Sequence, residues 1–306
     1  MFFRKPKFWD NPRLTLWAVI LFPFSLILKT FASIKKLISK ENKFDIPIIC
    51  VGNIYLGGTG KTPVSIEIYN IIKSFGKKPA IVKKYYKFLN DEIKMIKNVG
   101  EVFSNETRKL AIEDLIKNKN NVAILDDGFQ DYTIKKNLSI LCFNSNQWIG
   151  NGLTIPAGPL RQSISSINNA DCILINGKSK KLLDDLKLFK IPVFYTDYEI
   201  KNLENFQDKK LIAFAGIGNP SNFFELLKDN KVNLIKTYSF PDHYSYKDSE
   251  VEKMVNECKK ENAQLITTEK DYFRLSINLQ KECEFLKTEI KFKDHEKFKN
   301  FMKKFI

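Results

Sequence analysis

Histidine and cysteine are scarce in this chain, and the spacing of the cysteines excludes two common kinds of site. The 306 residues include two histidines and five cysteines, and no two cysteines are spaced as CxxC. Neither a disulfide framework nor a zinc site is therefore indicated, and we expect a reducing compartment. The cysteines lie far apart along the chain, at Cys50, Cys142, Cys172, Cys258 and Cys283.

The first 40 residues lack a convincing signal-peptidase site, and residues 14–28 lack charge altogether. A helix over these fifteen residues would reach about 22 Å, less than the roughly 30 Å hydrocarbon core of a bilayer. Ser25, Lys29, Ser33 and Lys36 recur at helical spacing, and basic residues flank the apolar run on both sides. The pattern favours an amphipathic helix lying on a membrane surface, with a signal peptide and a buried core helix as alternatives.

Negative charge is also in deficit. Fifty lysines and arginines stand against 35 acidic residues, which gives a formal net charge of +15 and a pI near 9.4. Such an excess points to an anionic partner, which could be a nucleotide, a nucleic acid or an anionic membrane. The lysines are scattered along the chain, so a generally lysine-rich proteome explains the excess equally well.

Residues 47–72, PIICVGNIYLGGTGKTPVSIEIYNII, have the layout of a phosphate-binding strand, turn and helix. Glycines in the turn let backbone N–H groups approach an anion, and the helix start adds its positive dipole end. Lys61 would reach the β- and γ-phosphates, and the Thr62 hydroxyl would hold Mg²⁺. The predicted nucleotide-binding residues are Gly57, Gly58, Thr59, Gly60, Lys61 and Thr62.

The motif lacks its first glycine. A strict GxxxxGK[ST] requires glycine at position 55, where this chain has Tyr55. A glycine turn that only joins a strand to a helix therefore stays open as the alternative.

Acidic residues follow a second apolar segment. Residues 122–125 predict a strand that ends in Asp126 and Asp127. Acids at the carboxyl end of a parallel strand lie where α/β sheets bind ligands, and beside a phosphate-binding turn they typically coordinate Mg²⁺. A polar turn is the alternative.

Three further residues are candidates for chemistry. Arg161 lies in a loop rich in Gly and Pro, where its planar fork could clamp a phosphate or form a structural ion pair. Asp91 precedes a helical segment, where a carboxylate often serves as a cap. His243, beside Asp242, follows a predicted strand.

The alternation of apolar runs and helical segments predicts an α/β protein. Strands are expected at residues 80–82, 122–125, 139–143, 171–175, 211–215, 234–240 and 264–267, with a basic aromatic loop at 83–87 and a linker near 177–181. The predicted domains are 1–40, 41–176 and 177–306.

Taken in order, the motifs resemble the tetraacyldisaccharide 4'-kinase family of lipid A biosynthesis. They are VGNIYLGGTGKTP, LDDGFQ, GNGLTIPAGPLR, AFAGIGNPSNFF, FPDH and TTEKD, behind a hydrophobic N-terminus. The resemblance covers nearly the whole chain, and an imperfect first glycine is usual in that family. It implies a P-loop NTPase-like, mostly parallel sheet flanked by helices, a smaller C-terminal α/β domain that contributes to the catalytic cleft, and an N-terminal membrane-associated helix.

The resemblance also implies the reaction, which is transfer of the ATP γ-phosphoryl group to the 4'-hydroxyl of a tetraacylated disaccharide 1-phosphate. By matching position, Thr62 and Asp126 are implied to hold Mg²⁺, and Asp127 and Arg161 to belong to the catalytic cluster. Which of Asp126 and Asp127 touches the metal stays open. Asp91 and His243 are implied to form a dyad in which Asp91 takes the proton from the sugar hydroxyl, directly or assisted by His243.

The implied setting is the cytoplasmic face of the inner membrane, with an acylated disaccharide phosphate lipid as partner and no nucleic acid. The oligomeric state stays open, and a monomer is compatible with the sequence. The alternative function is a membrane-associated P-loop NTPase that acts as a switch or assembly module without phosphorylating a lipid. The NKxD segment of a guanine-specific switch has no good match, since NGKS at 176–179 does not fit.

Several loop positions depart from the family pattern. Lys83, Lys84, Tyr85 and Tyr86 stand where the family typically has SRGY, within SRGYG. Further departures are Ile93 in place of proline, Asp131 in place of histidine and Gln162 in place of glutamate.

Overall fold

A computed structural model describes residues 5–86, 90–177 and 189–306. The chain divides into two compact units. Within the described residues, the large unit comprises 5–86, 99–177, 189–198 and 290–306, and the small unit comprises 90–98 and 199–289.

The strands and helices alternate along most of the chain. The described strands are β1 (Ile48–Gly52), β2 (Pro79–Lys84), β3 (Val102–Asn105), β4 (Val122–Asp126), β5 (Leu138–Asn144), β6 (Cys172–Asn176), β7 (Val193–Ile200), β8 (Lys210–Ala215), β9 (Asn233–Ser239), β10 (Ala263–Thr268), β11 (Glu284–Leu286) and β12 (Thr288–Phe292). The described α-helices are α1 (Leu16–Ile38), α2 (Lys61–Ser74), α3 (Asn90–Lys97), α4 (Arg108–Lys117), α5 (Pro220–Asp229), α6 (Asp248–Glu261), α7 (Glu269–Tyr272), α8 (Ile277–Gln280) and α9 (His295–Met302).

The large unit is built on an eight-stranded sheet in the order β12-β7-β6-β5-β1-β4-β2-β3. From β7 to β3 each neighbouring pair is parallel. β1 lies between β4 and β5, and Val51 pairs with both Asp126 and Ile140. Every residue of β1, β4 and β6 is buried, as expected for parallel strands covered on both faces. The carboxyl ends of β1, β2 and β4 therefore meet at one edge of the sheet.

The small unit has its own parallel sheet, in the order β11-β10-β8-β9. Pro220 occupies the first turn of α5, where its missing N–H costs nothing, as its position in the sequence predicts. α3 belongs to this unit, although more than a hundred residues separate it from β8. The predicted domain boundaries stay a prediction. The compact units divide the chain at other residues, because α3 packs with residues of the small unit that are far from it in the sequence.

The N-terminal helix α1 has 23 residues, eight more than the uncharged run that predicts it. At 1.5 Å per residue it is about 34 Å long, so the length argument against spanning a membrane was wrong. Among the described residues it is the one helix long and apolar enough to span, which by itself is weak support for a membrane role.

α1 contacts the large unit through a narrow stripe. Ala18 and Ser25 are buried, whereas most of its large apolar side chains are exposed. The Ser25 hydroxyl donates to the Thr154 carbonyl at 2.8 Å and accepts from the Ala157 N–H at 3.1 Å. The spacing of Ser25 with Lys29 had predicted a water-facing polar stripe, and for Ser25 this prediction is wrong. Its side chain instead fixes the helix to the loop rich in Gly and Pro.

The predicted fold class is confirmed, and each predicted strand lies within one residue of an observed strand at both ends, except for 80–82, which β2 extends by two residues. The extension corrects the predicted loop at 83–87, because Lys83 and Lys84 belong to β2; residues 87–89 lie outside the described residues. β3, β7, β11 and β12 were missed, since three of them have five residues or fewer. Most of the predicted linker at 177–181, and the end of NGKS, also lie outside the described residues.

Candidate functional site

The phosphate-binding turn connects β1 to α2. Gly60 caps α2 with φ +82°, in the left-handed region that favours glycine. A Cβ at Gly60 would lie 2.6 Å from the Tyr198 hydroxyl oxygen. Asn53, which the sequence reading missed, fixes the turn from inside: its fully buried side chain donates to the Tyr55 carbonyl at 2.6 Å and the Thr59 hydroxyl at 2.9 Å. The signal available in the sequence was an Asn directly after a predicted apolar strand.

Tyr55, at the position of the missing glycine, is buried and bonded to the N-terminal segment. Its hydroxyl donates to Asp10 Oδ1 at 2.5 Å and accepts from Lys5 Nζ at 3.0 Å. Burial and the Asp10 carboxylate raise the pKa of Tyr55 well above its ordinary value. Tyr55 therefore anchors residues 5–10 to the turn.

Asp126 is the last residue of β4, and its side chain is fully buried. The Thr62 hydroxyl donates to Asp126 Oδ2 at 2.9 Å, and the Ser65 hydroxyl donates to Oδ1 at 3.3 Å. Lys83 Nζ also donates to Oδ2, at 2.5 Å. The structure thus brings together Thr62 and Asp126, the two predicted Mg²⁺ ligands, and adds a lysine that the sequence reading had put in a loop.

Asp127 follows with φ +56° and a side chain one-third exposed. Arg161 Nη1 donates to both carboxylate oxygens, at 2.9 and 3.0 Å, and Lys61 Nζ lies 3.6 Å from Oδ1. Burial would raise the pKa of Asp127, but Lys61 and Arg161 outweigh it and hold the pKa well below its ordinary value. Asp127 is therefore ionised at neutral pH and holds both cations at the edge of the sheet.

Arg161 is fixed by the backbone of the phosphate-binding turn. The Arg161 N–H donates to the Ile54 carbonyl at 2.6 Å, and the Leu56 N–H donates to the Pro159 carbonyl at 2.8 Å. The buried Nε of Arg161 has no hydrogen-bond partner among the residues that the structure describes. The side chain therefore keeps a donor available beside its ion pair with Asp127.

Arg108, the first residue of α4, binds the backbone of Asp126 and Asp127. Its Nη2 donates to the backbone carbonyls of Asp127 at 2.8 Å and of Asp126 at 3.3 Å, and its Nη1 pairs with Asp131 at 3.2 Å. The left-handed backbone of Asp127 is therefore held by a charged donor. Arg108 was not among the predicted site residues, although arginine is rare here, with five in the whole chain.

The small unit has a second buried cluster, centred on Arg274. Arg274 donates through Nε at 2.7 Å and Nη2 at 2.6 Å to Oδ2 of Asp91, the second residue of α3. Its Nη1 donates to Asp271 Oδ1 at 2.7 Å and to the Gly216 carbonyl at 2.8 Å. The side chains of Asp91, Asp271 and Arg274 are 2%, 0% and 9% exposed, so this triad is a buried charge network.

One oxygen of Asp91 is left over in this arrangement. Oδ2 accepts both bonds from Arg274, whereas Oδ1 is buried and has no hydrogen-bond partner within the described ranges. A buried acceptor without a partner is costly, so such an atom is a candidate contact for a substrate group. Asp91 is thus oriented by Arg274 and not simply a helix cap.

His243 lies in the same cluster, with φ +57°. Its Nδ1 is 3.4 Å from Arg274 Nη2, and its Nε2 is 3.4 Å from Lys270 Nζ. Burial and the Lys270 ammonium lower the pKa of His243 below its usual 6.5, so the ring is neutral at pH 7. The structure therefore connects the predicted pair Asp91 and His243 through Arg274. Arg274 was not among the predicted site residues, although it is one of five arginines in the chain and closely follows the TTEKD motif.

Lys270 completes this cluster. It pairs with Glu92 at 2.9 Å and with Asp242 at 3.6 Å. Burial would lower the pKa of Lys270, but Glu92 and Asp242 raise it, so the ammonium stays charged.

The predicted site residues thus fall into two groups. The large unit holds Gly57 to Thr62, Asp126, Asp127 and Arg161, and the small unit holds Asp91 and His243. No group of three or more His, Cys, Asp and Glu side chains that could hold a metal occurs among the described residues. Mg²⁺ often uses only one or two carboxylates besides phosphates and water, so the oxygens of Thr62 and Asp126 fit it.

Known proteins resemble this chain along most of its length. The sequence model described as tetraacyldisaccharide-1-P 4'-kinase matches residues 17–306. The tetraacyldisaccharide 4'-kinase of Pelagibacter ubique is 38% identical over 97% of this chain and 96% of its own. That of Rickettsia canadensis is 32% identical over 88% and 87%. A crystal structure of LpxK from Aquifex aeolicus in complex with ATP has a TM-score of 0.74 at 25% identity and covers 95% of this chain and 100% of its own.

Replacing Arg274 tests the charge network of the small unit. Arg274→Ala leaves the buried Asp91 and Asp271 carboxylates without their cation, and breaking such a network typically costs about 3–5 kcal/mol. Hydrogen-exchange mass spectrometry on peptides from β8 and β10 measures the local opening free energy. Lys201→Ala is the control, because the ion pairs of Lys201 with Glu199 and Glu289 are exposed and their loss should leave the exchange unchanged. A loss below about 1 kcal/mol for Arg274→Ala would contradict the assigned role.

Proposed function

The chain belongs to the tetraacyldisaccharide-1-P 4'-kinase family, and from this premise we propose that it transfers the γ-phosphoryl group of ATP to the 4'-hydroxyl of a tetraacylated disaccharide 1-phosphate, a precursor of lipid A. A P-loop switch or assembly module is not favoured, because relatives that match almost the full chain carry the kinase name. One observation carries the proposal: at the start of α2, Lys61 pairs with Asp127 and Thr62 donates a hydrogen bond to Asp126.

The triphosphate is proposed to bind over the turn from Gly57 to Thr62. Backbone N–H groups and the start of α2 supply the positive potential, and Lys61 supplies a charge held by Asp127. Arg161 is proposed to clamp a phosphate through the donors that its bonds to Asp127 leave available, including Nε. Asp127 therefore acts by holding Lys61 and Arg161 in position.

The Mg²⁺ site is proposed to consist of the Thr62 hydroxyl and the Asp126 carboxylate, which already lie within hydrogen-bond distance. Held by these two residues, Mg²⁺ would supply positive charge to offset the negative charge that develops during transfer. Asp126 is fixed by the end of β4 and by Ser65, so this pair is oriented before any ligand binds.

Asp91 is proposed to position the 4'-hydroxyl and to accept its proton at Oδ1. The Arg274 bonds to Oδ2 fix the carboxylate plane and leave Oδ1 as the acceptor. Phosphoryl transfer depends mainly on positioning and charge neutralisation, so a carboxylate held in a fixed orientation suits this role. His243, neutral at pH 7, is proposed to assist by accepting a hydrogen bond from Arg274 or Lys270 at its one unprotonated ring nitrogen.

α1 is proposed to associate with the cytoplasmic face of the inner membrane. Its exposed apolar side chains include Trp17, Ile20 and Ile27, and Lys35 and Lys36 lie in its last turn. Apolar burial combined with attraction of lysines to anionic lipid is the usual basis of such binding. A membrane surface would also present a substrate that carries acyl chains.

A phosphorylation assay tests the proposed function directly. Detergent-solubilised protein is incubated with ATP, Mg²⁺ and a tetraacylated disaccharide 1-phosphate, and mass spectrometry should detect the bisphosphorylated lipid. Lys61→Ala should abolish product, whereas Lys73→Ala, an exposed lysine at the end of the same helix, should not. Folded protein that hydrolyses or binds ATP but forms no bisphosphorylated lipid would point to the switch or assembly alternative.

Asp91→Asn tests the role of the carboxylate. The amide cannot accept the proton, so kcat should fall by about 10²–10⁴-fold while the KM for ATP changes little. Steady-state kinetics measures both quantities, and Lys94→Ala, an exposed change on the same helix, is the control. Equal effects on kcat and KM would assign Asp91 to structure alone.

The membrane role of α1 is tested by replacing Trp17, Ile20 and Ile27 with Gln. Removing exposed apolar area should reduce binding to vesicles that contain anionic phospholipid, because burial of that area supplies much of the affinity. Cosedimentation measures the bound fraction. Ile277→Gln, an exposed apolar change in the small unit, is the control. Unchanged binding of the triple variant would refute the proposed contact.

A further inference from the structure

We propose that Lys83 is a fixed cation on Asp126 that lowers the affinity of this site for Mg²⁺ and lets ATP bind with less dependence on a divalent metal. The inference rests on the proposed nucleotide site and adds a charged residue to it. It depends on where β2 places Lys83, on burial, and on which carboxylate oxygen the lysine contacts.

The sheet itself puts Lys83 beside Asp126. β2 and β4 are parallel neighbours, and Val82 pairs with Leu125, so the next residue on each strand is Lys83 and Asp126. Both residues belong to their strands and do not lie in loops. The ammonium is therefore held at the carboxyl edge of the sheet by backbone pairing.

Burial makes this pair strong and hard to separate. The side chains of Lys83 and Asp126 are 5% and 0% exposed, and Nζ lies 2.5 Å from Oδ2. Within the part of the chain that the structure describes, the Asp126 carboxylate also accepts from the hydroxyls of Thr62 and Ser65, which are neutral. A buried carboxylate needs a cation, and here Lys83 neutralises it.

Lys83 contacts the carboxylate oxygen of Asp126 that also accepts from Thr62, the other proposed metal ligand. Asp126 Oδ2 accepts from Thr62 and from Lys83 at once, so a metal between Thr62 and Oδ2 would lie close to the ammonium. Two cations that share one carboxylate in a poorly solvated place repel each other. Lys83 therefore weakens the site for Mg²⁺, and its charge partly replaces that of the metal near the phosphates.

Metal and nucleotide binding, measured without turnover, test the proposal. Mn²⁺ binding to protein loaded with a non-hydrolysable ATP analogue is followed by electron paramagnetic resonance of free Mn²⁺, and the affinity for the analogue is measured by calorimetry in EDTA and in Mg²⁺. Lys83→Met removes the ammonium group and keeps an unbranched apolar side chain that is one heavy atom shorter. It should bind Mn²⁺ about tenfold more tightly than wild type and bind the analogue about tenfold more weakly in EDTA.

Lys84→Met is the matched control. Lys84 is the next residue of β2 and is exposed, so this variant removes the same charge from the same strand and should behave as wild type. Lys83→Met is purified in Mg²⁺, because Asp126 has lost its buried partner. If it does not fold, Lys83→Gln, which keeps a donor for Asp126, is judged by the same two affinities.

Two results would overturn the proposal. Equal Mn²⁺ affinities for wild type and the Lys83 variant, with the analogue bound in Mg²⁺ by both, would reject the role of Lys83 and leave the nucleotide site standing. Wild-type protein that binds no analogue under any condition would reject the proposed nucleotide site, and the role of Lys83 with it.

Discussion

Neutralising two adjacent carboxylates at the end of a buried strand is the constraint on which the large unit depends. Asp126 ends β4, whose other residues are apolar, and Asp127 follows it directly, so both carboxylates need cations close by. The chain supplies them from separate places, with Lys83 from β2, Arg161 from the loop rich in Gly and Pro, and Lys61 from α2. The result is an edge of the sheet where positive groups are held ready for phosphates.

In the small unit, a single arginine, Arg274, neutralises two buried carboxylates. Arg274 bridges Asp91 and Asp271 and lies beside His243, so three elements distant in sequence share a single charge network. This network accounts for why α3 belongs to the small unit. It also leaves one oxygen of Asp91 as a buried acceptor, which suits a carboxylate that must meet a substrate hydroxyl.

The N-terminal segment has a structural role besides its exposed apolar surface. Asp10 bonds to Tyr55 in the phosphate-binding turn, and Ser25 bonds to the loop that carries Arg161. The residue that looked like a defect in the motif is therefore the anchor between that turn and the start of the chain. Tyrosine suits this place because its ring fills the core while its hydroxyl reaches a charged partner.

The sequence by itself determined the phosphate-binding turn, the α/β class, most of the strands and the reaction family, because these depend on local spacing and on an ordered set of motifs. It could not determine which cation meets which carboxylate. Lys83 looked like one of many loop lysines, and Arg274 and Arg108 carried no motif that assigned them a partner. Only the tertiary structure decided these pairings, since strand register and burial bring together charges that are 43 and 183 residues apart in the chain.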